Sequence, residues 1–317
     1  MTKVAGGQER ILRRRIKSVQ STKKITKAME LIAASRIVKA MARISAARPY
    51  YEELVGVVRD LSASSGLPKN VFLGAPPVAD KKGILAITAD RTLCGAYNSS
   101  VLRATERQIQ AFQRAGKGSF LVAVGRKANS YLKYREVPID ASFTQVTDRP
   151  NYDQARQIAA PILAAYESGE VESFDIVSNR FYSAGNQQLE ITRLLPLDPD
   201  KFGSREDVLP LDFEIEPSPE AIVEPLLRMF VEETIFAILL EASAAEHAAR
   251  QRAMKAASDN AEELIKTLSR VMNRARQDAI TTEITEIVGG AEALGAGSKT
   301  IDESYLLTYS SERPVGV

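Results

Sequence analysis

Two long stretches of helical apolar periodicity, one at each end of the chain, constrain the fold more than any other feature. The first covers residues 8–61, where large apolar residues step by four and three with one slip of five. This spacing is typical of a coiled-coil seam. The seam positions are Ile25, Met29, Ile32, Ile37, Met41 and Ile44. Because Pro49 lies inside the pattern, we expect a kink or a break near Arg48.

The second helical pattern is longer and begins after "PSPE" at residues 217–220. Ser218 is placed to cap this helix, and Pro219 is tolerated in its first turn. The pattern is predicted to end at Gly289–Gly290. Its predicted seam consists of Ile238, Ala242, Ala245, Ala249, Ala257, Ala261, Leu264, Leu268, Val271 and Ala275. A helix of roughly 70 residues is on the order of 100 Å long, far more than a globular domain requires.

Neither terminal helix can bury its seam alone. The simplest arrangement pairs them as an antiparallel coiled coil, with the intervening region inserted between them. The small residues of the second seam would let the two helices approach closely.

The middle of the chain alternates strand-like and helix-like stretches. Strands are predicted at 83–88, 119–124, 174–182 and 189–197, and helices at about 99–115 and 152–168. This alternation indicates a mainly parallel α/β sheet with helices on its faces. Loops are predicted at residues 64–77 and in the acidic stretch 198–216.

Charge is distributed unevenly along the chain. Residues 1–48 carry thirteen Lys or Arg against two acids, a net charge of +11, which leaves −9 for the rest of a chain whose total is +2. The basic arm is therefore expected to face an acidic surface, either elsewhere in this chain or on a partner. A solvated helix face is the simpler alternative. The single cysteine, Cys94, excludes an internal disulfide, and no apolar run suggests a membrane span, so we expect a soluble intracellular chain.

The sequence offers no constellation for catalysis, metal binding or cofactor binding. The only histidine, His247, lies in the middle of a predicted helix, and we expect it to be structural or solvent-facing rather than catalytic. Neither a phosphate-binding loop nor a dinucleotide fingerprint is present. The stretch Ala89–Asn98 follows the first strand, where α/β folds place ligand contacts. A turn in which Asp90 bonds its own backbone and Cys94 fills a small gap is the simpler interpretation.

Four motifs resemble one family in order and spacing: "STKKITKAMELIAASRI", "DRTLCGAYN", "AEHAARQRAMKAASDNA" and "ITTEITEIVGGAEAL". They are similar to the γ subunits of bacterial F-type ATP synthases. The resemblance implies an antiparallel coiled-coil shaft around an inserted Rossmann-like α/β domain. The expected divisions are a shaft helix at 1–62, a foot domain at 63–216, a second shaft helix at 217–290 and a flexible tail at 291–317. Residues 297–317 extend past the usual end of the family, and we expect them to be dispensable for assembly.

The resemblance implies a non-catalytic rotor subunit that couples proton-driven rotation of the membrane c ring to conformational cycling of catalytic β subunits. Its implied partners are the α and β subunits, the ε subunit and the c ring, at the cytoplasmic face of the plasma membrane without insertion into it. The implied β-subunit contacts are Lys23, Lys24, Lys27, Met29, Arg36, Lys39, Arg276 and Gln277. Arg91 and Tyr97 are implied contacts of the foot with the c ring or ε.

Two other functions remain as alternatives. A coiled-coil nucleic-acid-binding protein could use the basic arm on phosphates, although no aromatic residue precedes Tyr50 to stack on bases. A small-molecule enzyme built on the α/β region would need an acid, base or nucleophile arrangement that the sequence lacks.

Overall fold

The computed structural model describes residues 2–64, 71–73, 78–197 and 219–298. The elements in chain order are α1 (Thr2–Ser64), β1 (Lys81–Ile87), α2 (Tyr97–Arg114), β2 (Gly118–Val124), α3 (Arg126–Tyr134), β3 (Ala141–Phe143), α4 (Tyr152–Glu167), β4 (Val171–Phe181), β5 (Gln187–Leu195) and α5 (Pro219–Ser298). The described residues fall into two compact units. We call them the two-helix unit, within Met1–Thr26 and Ala257–Val317, and the sheet unit, within Lys27–Ala256.

The sheet unit is built on five strands in the order β3-β2-β1-β4-β5. The first four strands are parallel, and β5 pairs antiparallel with β4. The central strands β1, β2 and β4 are almost continuously buried. Helices cover both faces of a parallel sheet, which is why these strands read as apolar runs rather than as alternating patterns. The chain is thus an α/β protein with a mixed sheet and long terminal helices.

Alternate residues of each strand supply two cores, one on each face of the sheet. Leu85 and Ile87 of β1 pack with residues of α1, α4 and α5 on one face. Ile84 and Ala86 pack with α2 and α3 on the other. Because successive strand side chains point to opposite faces, the same short strand contributes to both cores.

The predicted strands and helices of the middle region are confirmed, with bounds that differ by about three residues or fewer. The short helix α3 and the three-residue strand β3 were not predicted. Helix α5 continues through Gly289–Gly290 to Ser298, and α1 continues through Pro49 without a break. Most of the predicted loop at 64–77, the stretch 198–216, the cap at Ser218 and the tail residues 299–317 lie outside the described residues.

Several seam positions of α1 are wrong. Within the sheet unit, Ile32 and Met41 are 55% and 45% exposed, whereas Ala33, Ile37 and Ala40 are buried. Within the two-helix unit, Ile25 is 61% exposed, and the buried apolar residues of α1 are Leu12 and Ile16. Ile37 is buried as predicted. The buried series Ala33, Ile37 and Ala40 steps by four and three through it without the predicted slip of five, so that alanines face inward in place of Ile32 and Met41.

The second seam is partly right. Ala242, Ala245 and Ala261 are buried as expected. Leu264 and Val271 are 47% and 46% exposed instead. In the two-helix unit, α5 meets α1 through polar groups: the hydroxyls of Thr26 and Ser258 lie 2.7 Å apart, and Lys23 Nζ donates to Glu262 Oε2 at 3.0 Å.

Gly125 joins β2 to α3 at a point where only glycine fits. Its φ is +93°, and an added Cβ would lie 2.2 Å from the carbonyl oxygen of Thr88. We expect Gly125→Ala to lower the free energy of unfolding by about 2–4 kcal/mol, because strain and overpacking add. The matched control is Gly169→Ala, where φ is +72° but the space is open, and its cost should be about 1–2 kcal/mol. Equal losses in urea unfolding would show that the close approach to Thr88 is unimportant.

Candidate partner-contact surface

The loop after β1 is anchored by Asp90. The Asp90 carboxylate accepts hydrogen bonds from the backbone N–H groups of Arg126, Gln145 and Thr147 at 3.0, 2.9 and 3.3 Å. The simpler interpretation from the sequence had Asp90 bonding its own backbone, whereas it ties together three segments of the chain. The loop that carries Arg91 is therefore held in a fixed position.

Tyr97 lies inside this region rather than on its surface. Its side chain is 5% exposed, and its hydroxyl donates to the backbone carbonyl of Ala242 at 3.1 Å. Burial raises the pKa of Tyr97 well above its ordinary value. The expectation of a foot contact through Tyr97 is therefore corrected: the phenol packs the loop against α5. Cys94 is also buried, and burial raises the pKa of its thiol.

Three polar side chains of α5 are buried beside the same loop. Arg250 Nη2 donates to Glu246 Oε1 at 2.6 Å and to the carbonyl of Thr92 at 3.4 Å. Burial raises the pKa of Glu246, and Arg250 opposes this shift. His247 is 1% exposed, and burial, aided by Arg250, lowers its pKa to about 4. His247 is thus a buried neutral imidazole, so of the two positions expected from the sequence it takes the structural one and not the solvent-facing one.

The structure brings three of the implied contact residues together. Met29 and Arg36 of α1 and Arg91 of the β1 loop line one open cavity of about 520 Å³. Asp148 joins the two arginines: it pairs with Arg36 and lies 3.6 Å from Arg91 Nη2. These residues are far apart in sequence, so only the fold makes them one surface.

Leu93 belongs to the same surface, although no pattern in the sequence indicates it. It lines the same cavity, is 54% exposed and has a φ of 65°. A non-glycine residue in this region of φ is uncommon and is found where surrounding structure enforces it. Nothing in the letters "RTLCG" indicates that the leucine points outward.

The implied cationic contacts differ in what they already bind. Lys23 pairs with Glu262 and Lys27 with Glu30, each at 3.0 Å. Among the described residues, Lys24 and Lys39 are exposed and form no ion pair. Arg276 and Gln277 are likewise exposed on α5, within the two-helix unit. Over the part of the chain that the structure describes, no cluster of potential metal ligands occurs, and no helix is long and apolar enough to cross a membrane.

Comparison with known proteins identifies the family. The sequence model of the family described as ATP synthase matches residues 8–294. The gamma chain from a Parafrankia species is 45% identical over 92% of this chain and 99% of its own length. The gamma chain from Mycolicibacterium smegmatis is 41% identical over 92% and 98%. The chain belongs to the ATP synthase gamma chain family. It is therefore a subunit of the central stalk of an ATP synthase, and the nucleic-acid-binding alternative receives no support.

Solved structures agree with this assignment. A chain of the Tetrahymena thermophila mitochondrial ATP synthase central stalk and c ring has a TM-score of 0.59 and 26% identity, covering 74% of this chain and 99% of its own. A chain of the Euglena gracilis mitochondrial ATP synthase, in a structure of its OSCP, F1 and c ring, has a TM-score of 0.65 and covers 93% and 97%. At 20% identity, the second likeness shows the fold alone.

Because the chain contains one histidine, the pKa of His247 can be read from a single imidazole NMR resonance. We expect no titration of this resonance near pH 6.5, since the folded pKa is lowered to about 4. The unfolded chain takes up a proton near pH 6.5 while the folded chain does not. The contribution of His247 to the free energy of unfolding is thus complete above pH 6.5. It is lost as the pH falls from 6.5 to about 4, by up to roughly 3 kcal/mol.

The control is the same resonance in urea-unfolded protein, which should titrate with an ordinary pKa. A midpoint near 6.5 in the folded chain would contradict a buried neutral imidazole. The described groups that face His247 with charge are Arg250, Asp148 and Arg36.

Proposed function

We propose that the chain is the rotor shaft of its ATP synthase and couples proton-driven rotation of a membrane c ring to conformational cycling of catalytic β subunits. The observation that carries this proposal is the outward-facing apolar surface of the terminal helices in a chain of the central-stalk family. Large apolar side chains that are 45% or more exposed occur along both helices. They are Ile11, Ile25, Leu31, Ile32, Val38, Met41, Tyr50 and Val57 on α1, and Leu264, Val271, Ile280, Ile284, Ile287, Val288 and Leu294 on α5.

Exposed apolar residues at this density indicate a surface that another protein covers. The exposed cations Lys24 and Lys39 add charge to the same helix, and a partner with acidic residues would complement them. Each exposed ion pair contributes only about 0.2–1 kcal/mol, so a contact of this kind can break and re-form as the shaft turns. Rotation then acts by population shift, because each angle of the shaft favours a different β-subunit conformation.

The proposed partners are the α and β subunits around the shaft, and the ε subunit and c ring at the foot. Arg91 is the remaining candidate for a foot contact, while Lys23, Lys27 and Arg36 would have to exchange an internal partner for a β-subunit carboxylate. The chain is proposed to have no active site of its own and to work at the cytoplasmic face of a bacterial plasma membrane.

We also propose that α1 and α5 pair as an antiparallel coiled coil and that the α/β region between them is a Rossmann-like insertion. The contacts of Thr26 with Ser258 and of Lys23 with Glu262 support the antiparallel direction, because the residue number on α1 falls as the residue number on α5 rises. The parallel order of the first four strands supports the insertion.

The direct test is affinity purification of the tagged chain from its host, followed by subunit identification and an ATPase assay. We expect α and β subunits with ATP hydrolysis in the eluate, and no hydrolysis by the isolated chain. Recovery of the chain without α and β subunits would overturn the proposal. Saturable nucleotide binding by the isolated chain would overturn the absence of an active site.

Arg276 and Gln277 provide a sharper test within the complex. We expect the double change Arg276→Ala with Gln277→Ala to lower ATP hydrolysis by the reconstituted complex about tenfold, as expected when polar interface contacts are lost. Arg270→Ala is the matched control, since Arg270 is also an exposed arginine of α5. Equal activity of the two complexes, at equal subunit content, would remove Arg276 and Gln277 from the β-subunit contact.

A further inference from the structure

A second cavity, of about 350 Å³, lies within the sheet unit among α1, β4, β5 and α5. Its apolar wall includes Ile44, Tyr51 and Ile238, and its polar wall is dominated by carboxylates. The acids are Glu52, Glu190, Glu233 and Glu241, and the facing cations are Arg48 and Arg180. Acids thus outnumber cations on the described walls of this cavity.

Glu233 is the residue that makes this cavity unusual. It lines the cavity yet is only 3% exposed. Within the described part of the chain, its carboxylate forms no hydrogen bond and no ion pair. Burial raises the pKa of Glu233, and no positive group offsets this shift. Neither of its oxygens is among the fully enclosed unpaired polar atoms of the described residues, so the carboxylate opens onto the cavity that it lines. Native structures usually supply a partner to a polar group that is so nearly buried.

The two arginines that line the cavity form ion pairs with glutamates other than Glu233. Arg180 is shared between Glu190 and Glu241, at 3.4 and 3.5 Å. Arg48 approaches Glu52 at 3.8 Å. Neither arginine therefore pairs with Glu233, so its carboxylate is available to a donor that enters the cavity.

We propose that this cavity binds a small organic cation, with an ammonium, amidinium or guanidinium group donating to the carboxylate of Glu233. The apolar wall formed by Ile44, Tyr51 and Ile238 would cover the body of the ligand, as in small-molecule sites of this size. A planar amidinium or guanidinium suits a carboxylate because it can donate two parallel hydrogen bonds. The site is separate from the stalk role and does not depend on it.

A metal ion is a poorer fit to the same cavity. Although four glutamates line it, no group of three or more potential metal ligands lies close enough among the described residues to hold an ion. Divalent calcium takes six to eight oxygen ligands in a tight shell, and magnesium takes six. One isolated carboxylate beside an apolar wall instead matches an organic cation with a single charged end.

The test uses the purified full-length chain and benzamidine, an aromatic amidinium, as the probe. Isothermal titration calorimetry should show saturable binding at one site. Benzamide, which has nearly the same shape without the charge, should bind about tenfold more weakly or worse, because the charge-assisted hydrogen bonds are lost. Absence of saturation with benzamidine, or equal affinity for benzamide, would overturn the proposal.

Glu233→Gln keeps the shape of the side chain and removes its charge. We expect it to weaken benzamidine binding about tenfold or more, with the thermal midpoint unchanged or raised because a buried charge is removed. Glu263→Gln, at an exposed glutamate of the same helix, is the matched control and should bind benzamidine like the unaltered chain. Equal affinity of the two variants would place the binding elsewhere.

A second variant tests the cavity independently of charge. Ala237→Phe extends a ring from the cavity wall and should abolish binding while leaving all four glutamates in place. Retained benzamidine affinity in a folded Ala237→Phe chain would exclude this cavity as the site.

Discussion

The burial of the middle of α5 on all its sides is the constraint on which the sheet unit depends. Seven successive residues, 242–248, are buried, which is possible only because most of them are small. Ala245 packs against the group formed by Ala89, Cys94 and Tyr97. A larger side chain there would push the β1 loop away from the helix, since protein interiors are close-packed. The position of Arg91 and Leu93 on the surface thus follows from an alanine underneath them.

Close packing of this kind also explains the buried polar residues of the same helix. Glu246 and Arg250 are one helical turn apart and almost without solvent, so each needs the other. Removing one partner of such a pair typically costs about 3–5 kcal/mol, because the remaining charge stays buried. Arg250 also contacts the carbonyl of Thr92, which links the pair to the β1 loop. The polar residues in the "AEHAAR" motif therefore act on packing and loop position rather than on chemistry.

The elements of the sheet were predictable because a buried parallel strand is a continuous apolar run bounded by turns. Helix α3 and strand β3 were not, since "RKANSYLKY" is short and polar and β3 has only three partly exposed residues. The seam of α1 was predicted correctly at Ile37 and wrongly at Ile32 and Met41, for a different reason. Large apolar residues were expected to face inward, but the close approach of elements selects Ala33 and Ala40, and Ile32 and Met41 remain outside. Sequence periodicity indicates the steps of a seam, while tertiary contacts decide which of two neighbouring residues faces inward.

The residues of the partner-contact surface were harder still to predict, because the sequence does not indicate whether a Lys or Arg has an ion-pair partner within the chain. Met29, Arg36 and Arg91 meet only through the fold, and Tyr97 was misplaced because aromatic residues suit both surfaces and interiors. The proposed β-subunit cations separate into two kinds on the same grounds. Lys23 and Lys27 already hold glutamates at 3.0 Å, whereas Lys24 and Lys39 have no such partner among the described residues.

This difference matters for a shaft that has to change contacts as it turns. A lysine without an internal partner offers its full attraction to an approaching carboxylate, and salt screens that attraction within about 10 Å. A paired lysine has to release its glutamate first, but an exposed pair is worth only about 0.2–1 kcal/mol, so the exchange is nearly balanced. Both kinds can therefore bind and release a partner without a deep energy minimum at any one angle. In the proposed rotor, a preference for one angle would come instead from the exposed apolar residues of the same helix, such as Ile25 and Ile32, whose burial would depend on which surface faces the shaft.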